Sequence, residues 1–76
     1  METCEKIKAE RKRKGLTQKQ LGDLIGIPDS TIRKYESGVM APKLSTTVKF
    51  AKALKINPME LLPDWFIEEV NRYATP

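Results

Sequence analysis

Seventy-six residues make one small domain, near the size at which core burial only just offsets chain entropy. The 39% hydrophobic fraction lies in short, interrupted runs, none near the ~18 residues of a membrane span, and the charged opening METCEKIKAERKRK has no apolar block of the secretory kind. A single cysteine, Cys4, excludes an internal disulfide framework and a cysteine-based zinc site, and the lack of histidine removes the commonest general base and metal ligand. The expectation is a soluble, intracellular (cytoplasmic), non-catalytic domain with no metal, cofactor or membrane contact.

In chain order, the first helix is expected over residues 4–14, stopped by Gly15. Thr17 caps a second helix over 18–25, with Leu21, Leu24 and Ile25 inward. Gly26 supplies the positive φ of a tight turn, and Ile27 tucks that turn onto the core. The third helix covers 29–37, with Ile32 and Tyr35 inward, and ends at Gly38. After a loop containing Pro42, a fourth helix covers 44–55 with Val48, Ala51, Leu54 and Phe50 as its apolar stripe. Asn57, Pro58 and Glu60 make a capping box with proline at the first helical position, giving a short helix over 58–62. Pro63 breaks the chain, and Asp64 caps a last helix over 65–73. No segment alternates with period two for long enough to be a strand. The fold class is therefore all-α, with five or six helices.

Charge is uneven along this framework. Residues 1–43 hold ten Lys/Arg against six Asp/Glu, which is the whole net charge of +4, whereas 44–76 hold four of each. Beyond Ile56 the acids Glu60, Asp64, Glu68 and Glu69 face only Arg72. A basic first half suits a polyanion, most commonly nucleic acid; a solvated basic surface is the plainer reading. The run from Leu16 to Gly38 sharpens the choice. Two short helices joined by a glycine-containing turn, the second polar and partly basic on its outer side, have the layout of a helix-turn-helix, whose second helix can enter the DNA major groove.

The residues Ile7, Arg11, Gly15-Leu16-Thr17-Gln18, Leu21, Gly26, Ser30-Thr31-Ile32, Tyr35-Glu36, Gly38, Pro42, Leu44, Ala51, Leu54 and Pro58 to Leu62 carry a family resemblance. Their spacing is similar to that of the Cro/C1-type helix-turn-helix family, the lambda-repressor-like DNA-binding domains of phage repressors and of many bacterial and mobile-element regulators. The resemblance covers residues 7–62. It implies a helix-turn-helix domain over 1–62; residues 63–76 lie beyond it and read as a helical extension that packs on the domain or dimerises. It also implies binding of double-stranded operator DNA as a symmetric homodimer.

By position, Asp29, Ser30, Thr31, Arg33 and Lys34 are the solvent-side residues of the third helix and the candidate base readers. Ser30 is small and both donates and accepts; Thr31 offers a methyl suited to thymine. The resemblance places Lys34 at a base-reading position, within reach of guanine O6 or N7. Arg33 makes a bidentate guanine contact if it points inward, or holds a phosphate if it lies along the groove wall. The resemblance also implies phosphate contacts at Gln18 and Ser37, with Lys19 and Lys43 beside them, and a partly buried ion pair between Arg11 and Glu36. Lys12 and Arg13 read as a solvated face.

Two departures from the family pattern stand out. Pro28 replaces the usual Ser or Thr cap of the third helix, which shifts the expected cap to Asp29; Asp29 then either caps or accepts from cytosine N4. Val39-Met40-Ala41 is apolar where relatives often carry basic residues. Trp65, Phe66, Ile67, Val70 and Tyr73 form an apolar set that either covers the domain's own core or makes a two-fold contact. The expected function is a sequence-specific transcriptional regulator, most simply a repressor. The alternative is an antitoxin-like or adaptor module that holds a protein partner, such as a toxin or RNA polymerase, through the acidic aromatic helix. The length and polar ending suit either a whole regulator or the first part of a longer repressor.

Overall fold

The structure is a computed structural model that describes residues 1–74; the last two positions of the extension expected over 63–76 lie outside the described residues. Five α-helices and one 3-10 helix follow in order: α1 Thr3–Arg13, α2 Gln18–Ile25, α3 Asp29–Ser37, α4 Leu44–Leu54, the 3-10 helix Pro58–Leu61, and α5 Asp64–Ala74. No strand occurs among the described residues, and no helix among them is long and apolar enough to cross a membrane. The all-helical class and the helix-turn-helix of α2 and α3 are as expected.

Local chemistry explains the boundaries. Glu5 in the first turn of α1 and Arg11, Lys12 and Arg13 in its last turn complement the helix dipole. Thr17 accepts from the Gln20 amide while the Gln20 side chain accepts from the Thr17 amide, a reciprocal box that fixes the start of α2. Gly26 then adopts φ 73°, which turns the chain toward α3. Asn57 and Glu60 form the same kind of box across Pro58, and the short helix they start is wound as 3-10.

Those boundaries bring seven apolar side chains into one core: Ile7, Leu21, Ile32, Phe50, Ala51, Leu54 and Leu61. They come from α1, α2, α3, α4 and the 3-10 helix, so each of those elements is held by the same cluster. Complete burial of each Ile, Leu or Phe is worth about 1.5–3 kcal/mol. Tyr35 packs edge-on against Phe50, with centroids 5.6 Å apart and planes at 87°.

The structure corrects several details. Leu24 is 60% exposed and Val48 37% exposed, so neither belongs to the inner faces expected of them. Each sits roughly 110° from the middle of the arc that its buried neighbours define, Leu21 and Gly22 on α2 and Thr47, Phe50, Ala51 and Leu54 on α4, and so falls at the edge of the buried face. Lys55 does not extend α4; it ends the helix at φ 58°, taking the left-handed position that glycine usually fills. Pro28, not Asp29, is the cap residue of α3, and its carbonyl accepts from the Thr31 and Ile32 amides. Proline is tolerated there because a cap residue does not have to donate. Asp64 is the first residue of α5 and not its cap. Its carboxylate instead meets the Met1 ammonium and, at 2.7 Å, Lys6 Nζ. Trp65 and Phe66 pack edge-on against each other and stand outside the core cluster; no described residue of α5 is buried.

Candidate nucleic-acid interface

The site begins with the close packing of α2 on α3. Gly22 is buried within α2, and a Cβ there would stand 2.2 Å from the Ile27 carbonyl oxygen and 3.4 Å from Ile32 Cγ1. Ile27 donates its amide to the Gly22 carbonyl at 2.9 Å, so the turn folds back directly onto the helix it leaves. Only a residue without a side chain allows that approach. The angle between α2 and α3, and with it the aim of the outer face of α3, is set at this point.

A buried ion pair closes the other end of α3. Arg11 Nε donates to Glu36 Oε2 at 2.6 Å and Arg11 Nη2 to Oε1 at 3.0 Å, while Arg11 Nη1 donates to the Leu16 carbonyl at 2.8 Å. Arg11 is 8% and Glu36 7% exposed. Gln18 Nε2 adds a further donor to Glu36 Oε1 at 3.2 Å. No buried side-chain polar atom among the described residues lacks a partner. The pair thus ties α1, the start of α2 and the end of α3 together without an orphaned charge.

The outer face of α3 carries Asp29, Ser30, Arg33 and Lys34, all exposed, with Thr31 half-buried beside them. Asp29 and Arg33, one turn apart, approach to 3.6 Å, and Arg33 Nε donates to Gln18 Oε1 at 3.5 Å. Gln18, Arg33 and Asp29 are therefore one cluster at the junction of the two helices. Lys34 and Lys43 are exposed and form no ion pair among the described residues. Lys19 turns to Asp23 at 3.4 Å, and Ser37 Oγ donates to the Lys34 carbonyl at 3.2 Å. Lys12 and Arg13 are exposed on α1, and Arg13 is paired with Glu10.

Gly22 and Gln20 were not among the residues singled out by sequence. Thr17-x-x-Gln20 is a legible capping signature. Gly22 gives no such signal, because a glycine inside a helical pattern reads only as a weak position.

On the far side of the loop at residues 38–42 lies an apolar groove of about 500 Å³, lined in part by Cys4, Met40, Pro42, Leu44, Trp65 and Phe66. Val39, Leu44, Trp65 and Tyr73 are 78%, 67%, 59% and 83% exposed.

A two-helix unit locked by a glycine contact, with a polar cationic face turned outward, defines a helix-turn-helix domain. The chain matches the helix-turn-helix family over residues 7–61 and belongs to it. It is 39% identical over 69 residues to the cryptic phage CTXphi transcriptional repressor RstR of Vibrio cholerae serotype O1 (strain ATCC 39315 / El Tor Inaba N16961), covering 91% of this chain and 62% of that protein. The chain thus spans about three fifths of that relative's length. Among solved structures, it is similar to the restriction-modification controller protein C.AhdI from Aeromonas hydrophila, with a TM-score of 0.75 and 33% identity over 79% of this chain and 87% of that one. It is also similar to the P22 c2 repressor in complex with a synthetic operator, with a TM-score of 0.74 and 29% identity over 82% and 94% of the two chains.

Proposed function

We propose that this chain is a sequence-specific DNA-binding transcriptional regulator of the phage-repressor type, acting in the cytoplasm as a homodimer on a two-fold symmetric operator. The observation that carries the reading is the outer face of α3, where Ser30 and Lys34 stand exposed beside the half-buried Thr31, Lys34 without an ion pair among the described residues, on a helix fixed by Gly22 and by the Arg11–Glu36 pair. Ser30 and Thr31, in the first turn, lie nearest the base edges. Lys34, one turn on, reaches guanine. Gln18, Lys19, Ser37 and Lys43 flank this face as backbone contacts. The similar proteins support the reading: one is a transcriptional repressor, and another is a repressor solved with a synthetic operator.

The two-fold contact in this reading is the apolar surface of α5 and the adjoining groove. Trp65, Phe66, Val70 and Tyr73 are a large apolar set for a small domain to leave in water, and pairing two copies through it spaces the recognition helices about one DNA turn apart, ~34 Å. The same surface keeps a second reading open, a module whose α5 holds a different protein. Selection of bound duplexes from a random DNA pool at near-physiological salt separates the two. An enriched palindrome with fixed half-site spacing supports the dimeric regulator. A folded helical protein that enriches no sequence favours the partner-binding module.

A further inference from the structure

Arg11, Glu36, Gln18, Arg33 and Asp29 form one continuous polar chain running from the core to the outer face of α3. Its outer end determines where Arg33 points. Gln18 is anchored by its donation to the buried Glu36, so its Oε1 is a fixed acceptor at the first residue of α2. Arg33 Nε reaches back to that oxygen at 3.5 Å, and Nη2 lies 3.6 Å from Asp29 Oδ2. The guanidinium therefore leans onto the start of α2. When a helix-turn-helix docks, its first helix crosses the DNA backbone while its second lies in the groove. An arginine drawn onto α2 is directed to the sugar-phosphate wall. Lys34, the next residue and about 100° further round the helix, is left as the cation of the groove-facing side.

We infer that Arg33 holds a DNA phosphate and does not read a base, that Gln18 positions it, and that Asp29 restrains it. The inference rests on the reading of the chain as a DNA-binding regulator. In the free protein the Asp29 carboxylate occupies the guanidinium. On DNA a phosphate oxygen takes its place, and Asp29 is left facing the polyanion. Arg33 exchanges one anionic partner for another, so Asp29 lowers affinity for every sequence alike and leaves base preference unchanged.

The test uses the whole 76-residue chain, the duplex enriched from the random pool, its single-base-pair variants and an unrelated duplex of equal length. Arg33→Ala weakens binding to all of them by a similar factor and reduces the slope of log K against log salt by ~0.9, the value for one phosphate. Arg33→Lys retains that slope. Asp29→Asn strengthens binding to all of them by at least ~2-fold, and its gain is smaller when Arg33 is already alanine. Lys34→Ala, by contrast, removes the preference at one base pair of each half-site. Circular dichroism checks that each variant is folded, as expected for side chains 50–64% exposed at Asp29 and Arg33. Loss of preference at a single base pair in Arg33→Ala overturns the inference, as does a weakening of binding in Asp29→Asn. A native chain that binds no duplex above background overturns the inference together with the reading beneath it, whereas normal selective binding by the native chain with either variant result above overturns the inference alone.

Discussion

Arg11 and Glu36 meet fork to fork in the interior, 25 residues apart in sequence, with both carboxylate oxygens and three guanidinium nitrogens engaged. Each is held by more than the other: the Leu16 carbonyl accepts from Arg11, and Gln18 donates to Glu36. Removing one partner leaves a buried charge without compensation. Glu36→Ala and Arg11→Ala are each expected to lower unfolding free energy by ~3–5 kcal/mol in urea titrations. The double change to Leu at 36 and Met at 11, of similar volume and apolar, is expected to recover most of that loss. It frees Gln18 all the same, so affinity for DNA falls even where stability returns.

The contact of Gly22 with the turn makes a second prediction. Alanine is ordinarily the better helix former by ~1 kcal/mol. Here its Cβ would stand 2.2 Å from a backbone oxygen, which cannot swing away as a side chain would. Gly22→Ala is therefore expected to cost a net ~1–3 kcal/mol, read as a lower urea midpoint. Lys55, at φ 58° with its amide bonded to Ala51 and Lys52 carbonyls, gives the opposite sign. Lys55→Gly removes left-handed strain and is expected to be neutral or to gain up to ~1 kcal/mol.

The clasp of Met1, Lys6 and Asp64 joins the chain's beginning to the start of α5. Hydrogen bonds from Lys6 and from the terminal ammonium hold the Asp64 carboxyl down at about 2, against its ordinary 3.8. A carboxyl whose folded value is depressed contributes stability above its unfolded value and loses it as pH falls toward the folded one. Asp64→Asn is expected to lower the thermal midpoint by a small, constant amount above about pH 5. The difference from the native chain closes between about pH 4 and pH 2.

Trp65, 59% exposed and outside the core cluster, allows the proposed self-association to be tested apart from folding. Trp65→Ala is expected to leave the thermal midpoint of dilute protein nearly unchanged. On the proposed α5 dimer, it is expected to shift the sedimentation-equilibrium balance toward monomer and to weaken binding to paired half-sites more than to a single one.

Sequence reached most of this fold because its punctuation is local. Thr17, Gly26, Asn57 and Pro58 each act within a turn of their own position, and the two ends of α2 and the start of the 3-10 helix follow from them. Leu24 and Val48 were misplaced because hydrophobicity alone does not say which edge of a wide apolar stripe meets a neighbouring helix. Pro28 takes the cap position that side-chain chemistry assigns to Asp29, since a cap residue needs the right backbone more than it needs a side-chain acceptor. The candidate site was legible as a set of outward residues on α3. The connection of Gln18 to Arg33 was not, because it joins residues 15 apart whose proximity exists only once Gly22 has brought the two helices together.

The most direct test of the proposed DNA-reading face is to follow backbone amide shifts by NMR while the selected duplex is titrated into isotope-labelled protein. The account predicts that the largest changes fall on residues 17–19 and 29–34, with Lys49 and Lys52 on α4 little affected. A duplex that binds while leaving 29–34 unshifted, and perturbs α4 or α5 instead, would contradict the assignment of α3 as the recognition helix.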